Sequence, residues 1–237
     1  MSNPKSPLVG IPTRSFVIPG RREVVRGVFN AYIDSLRASG GEAVMLPPGA
    51  VAALNRLDAL LLVGGEDLAA ADCWSSGAPL SPVDPERDNY EALLVHRARI
   101  LGIPTLGRCR GAQLVNCVLG GTVASLDAVG VARHSNANPS DSAIHHIRIG
   151  PDTRLASVLD HRVEIRVVSR HATAISALGV GLVASAWATD GSIEAIESSD
   201  WPFLGVQWHP EWFMEDVNPD RALFNWLIDE AKQRTER

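Results

Sequence analysis

The chemistry legible in this chain gathers around one cysteine. Ile103-Pro-Thr-Leu-Gly-Arg-Cys-Arg-Gly-Ala-Gln113 carries an apolar segment into Gly107-Arg108-Cys109-Arg110-Gly111, and a helical pattern follows at once. This is the cysteine counterpart of the G-x-S-x-G nucleophile elbow, in which glycines on both sides relieve crowding around a strained nucleophile. Such a turn lifts the sulfur to the carboxyl end of a sheet, where open α/β folds build their sites. A thiol at a helix N-terminus is expected to gain thiolate character, with a pKa of about 3.5–7.5 against about 8.5 for a free thiol. The charges of Arg108 and Arg110 add to that expectation. Read alone, Cys109 also fits a small buried residue in a tight β–α turn.

Its partners lie far downstream. Phe203-Leu-Gly-Val-Gln-Trp-His-Pro-Glu-Trp212 reads as a short strand ending in His209-Pro210-Glu211. In extended chain, residues i and i+2 point to one side, so Glu211 can hold one imidazole nitrogen of His209 and leave the other for a thiol. Nucleophile, base and orienting carboxylate are what covalent acyl transfer by cysteine requires. Singly, His209 reads as a strand-end histidine bonded to backbone and Glu211 as a solvated charge. Together with Cys109 they make a reactive set.

The elements that must position this set alternate between short apolar runs and amphipathic stretches, the pattern of a mainly parallel sheet covered by helices. Strands are expected at Pro7–Pro12, Glu42–Leu46, Leu57–Val63 and Ile103–Leu106. Helices are expected over Arg22–Ala38, over Asp84–Ile100 with Asp84 as N-cap and Pro85 at the first position, and over Arg110–Leu119. Val123–Ser142 reads as polar and irregular. Beyond it, strands at Ile144–Ile149, Val163–Val168, Leu182–Trp187, Ile193–Ile196 and Phe203–Trp208 precede an amphipathic helix near Pro219–Lys232. No internal repeat, charge block or long linker divides the chain, so one domain over 1–237 is expected.

Composition narrows the function classes. The 237 residues carry 22 Lys plus Arg against 27 Asp plus Glu, a net charge of −5, which argues against general nucleic-acid binding. At 46% hydrophobic and 21% charged residues, the chain is unlike a disordered one. No run approaches the ~18 apolar residues of a membrane span. Three cysteines (Cys73, Cys109, Cys117) are too few and too odd in number for a disulfide framework. With no signal peptide evident, a cytoplasmic protein with reduced thiols is expected. His145-His146 could suggest a metal, but neighbours on a strand point to opposite faces and no third ligand is apparent, so no metal is expected.

With these residues in place, the chain resembles the class I glutamine amidotransferase-like proteins. Within them it most resembles the stand-alone γ-glutamyl-γ-aminobutyrate hydrolase type of the C26 peptidase family. The resemblance rests on Gly64-Gly65-Glu66-Asp67, Asp84-Pro85-Glu86-Arg87-Asp88, Cys109-Arg110-Gly111-Ala112-Gln113, Gly120-Gly121 and Gly205-Val206-Gln207-Trp208-His209-Pro210-Glu211, in the family's order. It implies a flavodoxin-like three-layer α/β sandwich, its central sheet mostly parallel with helices on both faces, plus a smaller antiparallel β region. It also implies no metal and no organic cofactor. By the same similarity Cys109 is the nucleophile, His209 the general base and acid, and Glu211 its orienting partner. The backbone N–H groups of Gly65 and Arg110 would form the oxyanion hole, and Gln113 would help hold a γ-glutamyl group. Where the family usually has Asn-Ser-x-His-x-Gln, this chain has Val168-Ser169-Arg170-His171-Ala172-Thr173. Ser169 and His171 are kept as substrate contacts, and Arg170 is a candidate carboxylate contact.

The expected reaction is hydrolysis of a γ-glutamyl-amine to glutamate and free amine through a cysteine thioester, in amine catabolism. A glutaminase subunit feeding ammonia to a separate synthase shares the same triad. A non-catalytic binding protein is a third reading, favoured if the thiol ignores iodoacetamide at neutral pH. The amine stays open, with Trp74, Trp187 and Trp212 as candidates for an apolar wall. The polar stretch His134–Ser142 lies where a lid or acceptor-side wall is expected. The expected partner is the small-molecule substrate, without nucleic acid or membrane, and a homodimer stays open.

Overall fold

The computed structural model describes residues 6–20, 22–132, 134, 143–212 and 219–236. Residues 135–142 of the expected lid, and the side chain of Trp212, lie outside the described set.

Five strands run parallel at the centre. They are β1 (Leu8–Pro12), β4 (Glu42–Leu46), β5 (Ala59–Leu62), β7 (Thr105–Arg108) and β14 (Phe203–Val206), in the order β4-β1-β5-β7-β14. The apolar run Ala59-Leu-Leu-Leu62 shows why they sit inside: its alternate side chains enter two different cores. Ala59 and Leu61 pack with Leu36 of α1 (Asn30–Ala38) and Phe224 and Leu227 of α5 (Pro219–Glu236). Leu60 and Leu62 pack with Leu94 and Val95 of α2 (Pro85–Leu101) and Leu114 and Val115 of α3 (Arg110–Val118). Helices therefore cover both faces, giving the three layers of an α/β sandwich.

The antiparallel strands continue the same sheet. Beyond β14 the order runs β13 (Ile193–Ser198), β12 (Leu182–Ala188), β9 (Ala143–Ile149) and β10 (Glu164–Ser169), all paired antiparallel. A branch of β11 (Thr173–Ala177), β8 (Thr122–Ser125) and β6 (Trp74–Ser76) joins through β13. The start of the stretch expected to be irregular is thus the strand β8, paired with β11. A short helix α4 (Arg154–Val158) packs against the antiparallel half.

Two expectations change here. The helix expected from Arg22 starts only at Asn30; before it, β2 (Arg14–Val17) and β3 (Val24–Gly27) form a separate antiparallel hairpin. Pro19-Gly20 supplies the turn, with Gly20 at φ 78°, and the β-branched Val24 and Val25 prefer the paired strand. The expectation of reduced thiols also fails for two of the three cysteines. Cys73 and Cys117 are joined as a disulfide with Cα atoms 5.6 Å apart, while Cys109 is free. They are 44 residues apart in sequence, and only the packing of the Cys73 turn on the end of α3 brings them together. Among the described residues no helix is long and apolar enough to cross a membrane.

Candidate active site

Parallel pairing of β7 with β14 puts both candidate segments at the carboxyl ends of two adjacent interior strands, with Arg108 opposite Val206. The Cys109 N–H donates to the Val206 carbonyl at 2.7 Å, and the Cys109 carbonyl accepts from Ala112 and Gln113 as α3 begins. Between these ties Cys109 is held at φ 50°, ψ −111°. A side chain at such an angle costs of order 1–3 kcal/mol, which persists only where the surroundings over-determine it. Gly111 is required by contact, since a β-carbon there would lie 2.3 Å from the Leu62 carbonyl oxygen of β5.

His209 lies three residues past the end of β14, its N–H held by the Val168 carbonyl at 2.8 Å. Its Nδ1 meets Glu211 Oε1 at 3.1 Å, the expected pairing, but it is made through a 3-10 turn over Pro210–Trp212 and not through extended chain. Glu211 has a second partner. Arg108 Nε donates to Glu211 Oε2 at 3.0 Å and Arg108 Nη2 to Oε1, while its guanidinium lies 5.1 Å from the Tyr32 ring. One buried carboxylate thus holds both the imidazole and a guanidinium.

This arrangement sets the charges. Burial raises the Cys109 thiol above its ordinary pKa, outweighing the Arg108 charge and the hydrogen bond from the Arg110 N–H, so the expected depressed thiol is not found. Burial, and then the Arg108 charge, bring His209 down to about 4 against the pull of Glu211. Glu211 drops to about 2 because Arg108 and His209 overcome its burial. At rest the cleft thus holds a neutral thiol and a neutral imidazole, with an ionised carboxylate on the imidazole's Nδ1. The Arg110 guanidinium is turned away from the sulfur, onto Asp88 and Glu91, so this residue acts on Cys109 through its backbone.

The loop bearing Gly65 is fixed from α2. Asp84 caps that helix by accepting from the Arg87 N–H at 3.1 Å. Arg87 then donates to the Val63 and Gly64 carbonyls, each at 3.2 Å, and to Glu66 and Glu91. Arg110 shares Glu91, so one buried ion-pair lattice joins the Gly65 loop, α2 and the first turn of α3.

Cys109, His209, Glu211, Gly65 and Arg170 all line one cleft of about 1140 Å³. Its mouth carries Phe16 and Phe29 beside Arg14, which pairs with Glu66 and lies 5.1 and 5.5 Å from those two rings. Neither Trp74 nor Trp187 is in this wall: Trp74 Nε1 donates to the Leu68 carbonyl, and Trp187 borders a separate cavity with Arg148. Three expected substrate contacts sit behind the cleft. Gln113 is buried and donates to the Thr173 carbonyl and to Gln207, Ser169 Oγ meets His145, and His171 faces Glu194. None of the three side chains lines the cleft, because each is directed at a neighbouring element behind it. Sequence reasoning passed over Gln207, whose Nε2 lies 3.5 Å from Cys109 Sγ.

The fold brings further nitrogen and oxygen donors to His145 from distant segments. His134, His145, His171 and Glu194 present ligand atoms that all lie within 4.8 Å of one another. His146 points outward and meets Glu164, as expected for the neighbour on a strand.

Comparison with known proteins agrees with this architecture. Residues 7–211 match the family model described as peptidase C26. A Mycobacterium tuberculosis (strain ATCC 25618 / H37Rv) protein described as a candidate glutamine amidotransferase is 36% identical over 210 residues, 84% of this chain and 66% of that protein. The chain thus spans slightly under two thirds of that relative's length. The γ-glutamyl-γ-aminobutyrate hydrolase PuuD of Escherichia coli (strain K12) is 24% identical over 211 residues, covering 83% of each chain. In structure, the acivicin-bound glutaminase domain of Trypanosoma brucei CTPS superposes with a TM-score of 0.69 at 15% identity, covering 96% of this chain and 94% of that one. A candidate GMP synthase subunit from Thermoplasma acidophilum gives 0.67 at 18% identity over 98% of each chain. These two likenesses speak to the fold alone.

Proposed function

This chain belongs to the peptidase C26 family, and on that footing we propose that it hydrolyses the γ-amide of a γ-glutamyl-amine, releasing glutamate and the amine. The coarser class, a glutamine amidotransferase-like amide hydrolase, follows from the family. The observation that supports the reading most is the strained Cys109 sharing one cleft with His209, whose other nitrogen is held by Glu211.

Cys109 Sγ attacks the γ-carbonyl carbon while its proton passes to His209. The carbonyl oxygen takes the displaced electron pair and is met by the N–H groups of Gly65 and Arg110, donors worth on the order of 10²–10³ in rate each. The oxyanion collapses, His209 gives its proton to the departing nitrogen, and the amine leaves. Water then loses a proton to His209 as it attacks the thioester, which releases glutamate and returns the proton to the sulfur. Because the thiol rests protonated, His209 must act as a true base at the moment of attack. Turnover, and not alkylation alone, therefore separates this reading from a binding protein.

At the mouth, Phe16 and Phe29 offer an apolar wall and Arg14 and Arg170 offer cations. The two rings support an apolar body on the amine, taking the place of the wall expected from Trp74 and Trp187, and the cations support a carboxylate carried on it. The second reading, a glutaminase subunit serving a synthase, draws on the 36% identical relative described as a candidate glutamine amidotransferase. Glutamate release by the isolated protein over γ-glutamyl derivatives of aromatic, alkyl and acidic amines and over glutamine tests both. Turnover on γ-glutamyl-amines that Cys109→Ala abolishes is expected. Full turnover by that variant ends the proposal, and silence on every amine favours the subunit.

A further inference from the structure

We propose that His134, His145, His171 and Glu194 form a binding site for a divalent transition-metal ion of the zinc class, separate from Cys109. Three imidazoles and one carboxylate are a donor set suited to such an ion. The four come from distant points of the chain: His145 from β9, His171 from the turn between β10 and β11, Glu194 from β13, and His134 from a bridge to His171. His134 packs against both other rings, with centroids 4.4 Å from His145 and 4.8 Å from His171.

Two features separate this from an incidental polar cluster. The first is that outer nitrogens are already held. His171 Nδ1 meets the Thr173 carbonyl at 3.2 Å, which leaves Nε2 directed at Glu194, 3.4 Å away. His134 Nε2 meets Asp190 at 2.8 Å, which leaves Nδ1 on Glu194 at 2.8 Å. Imidazoles that ligate metals are oriented in this way, by a carbonyl or carboxylate on the far nitrogen. The second is that the inner atoms are under-used. His171 Nε2 and Glu194 Oε2 are buried without a hydrogen-bond partner among the described residues. Leaving a buried carboxylate oxygen unmet is costly, and a cation between these groups removes the cost. A tetrahedral zinc ion sets its ligands roughly 3.4 Å apart. Small side-chain rotations reach that from the present spread of up to 4.8 Å.

The consequence reaches the cleft through the chain itself. The ion would tie β9 and β13 to the Val168–Thr173 turn, whose Val168 carbonyl holds the His209 N–H and whose Arg170 faces the cleft. It would serve as a strut, and the proposal stands whichever amide the enzyme cleaves.

The test uses the full chain with Cys109→Ser, so that the free thiol supplies no ligand. Titrated with cobalt(II), this protein is expected to take one equivalent with the strong visible bands of four-coordinate cobalt, displaced by one equivalent of zinc. Adding His145→Ala, the most accessible of the four positions, should weaken binding at least tenfold and reduce the bands. X-ray absorption on the cobalt-loaded Cys109→Ser protein should give a nitrogen and oxygen shell with imidazole scattering, which needs no further variant to fold. Absence of visible bands, equal binding after His145→Ala, or a shell without imidazole would each overturn the site.

Discussion

Glu211 divides its charge between His209 and Arg108, and that division decides how the site responds to pH. His209, with a pKa of about 4, faces Glu211, Arg108 and His171. It is therefore a neutral base from about pH 5 upward. In a pH–rate profile kcat/KM should fall only below about pH 4–5, as His209 takes a proton and can no longer accept one from the thiol. An acid limb near pH 6.5 would show that the imidazole is not depressed. Arg108→Gln should move this limb upward, because removing the guanidinium leaves Glu211 to act on the imidazole alone. The same change leaves a buried carboxylate with a single strong partner, so a loss of about 3 kcal/mol in denaturant unfolding is expected. An unmoved limb in that variant would show that Arg108 does not tune the base.

The strand–elbow–helix unit works because its glycines allow backbone contacts that no side chain would permit. Gly111→Ala would drive a β-carbon into the Leu62 carbonyl, moving either α3 or β5. A loss of at least about 2 kcal/mol and a drop in kcat are expected, measured by urea unfolding and steady-state kinetics. Unchanged values would mean the elbow has slack. Glu91 is the other test at this scale. Buried and shared by Arg87 and Arg110, it keeps α2, the Gly65 loop and the start of α3 in register. Glu91→Gln should cost about 3–5 kcal/mol, read from the unfolding midpoint. A midpoint equal to that of the parent would remove the lattice from the account. The Asp84-Pro85 helix start was legible because N-cap chemistry is local. The lattice was not, because the pairing of Arg87 and Arg110 depends on which helices pack side by side.

Across the whole molecule, the Cys73–Cys117 bridge closes a long loop between the turn before β6 and the end of α3. Loop-closure entropy puts its contribution at about 2–4 kcal/mol. Unfolding in urea with and without reductant, or with Cys117→Ser, should show that loss, and coincident curves would show that the bridge adds nothing. The candidate set Cys109, His209 and Glu211 and the β/α alternation could be read from the sequence by itself, because turn glycines, capping residues and close spacing act over a few residues and leave their mark in residue type. The disulfide, the grip of Arg108 on Glu211, the direction of the Cys109 pKa and the gathering of three histidines with Glu194 were decided only by tertiary structure. Each depends on distance and burial between segments far apart in the chain, and neither quantity has a local signature.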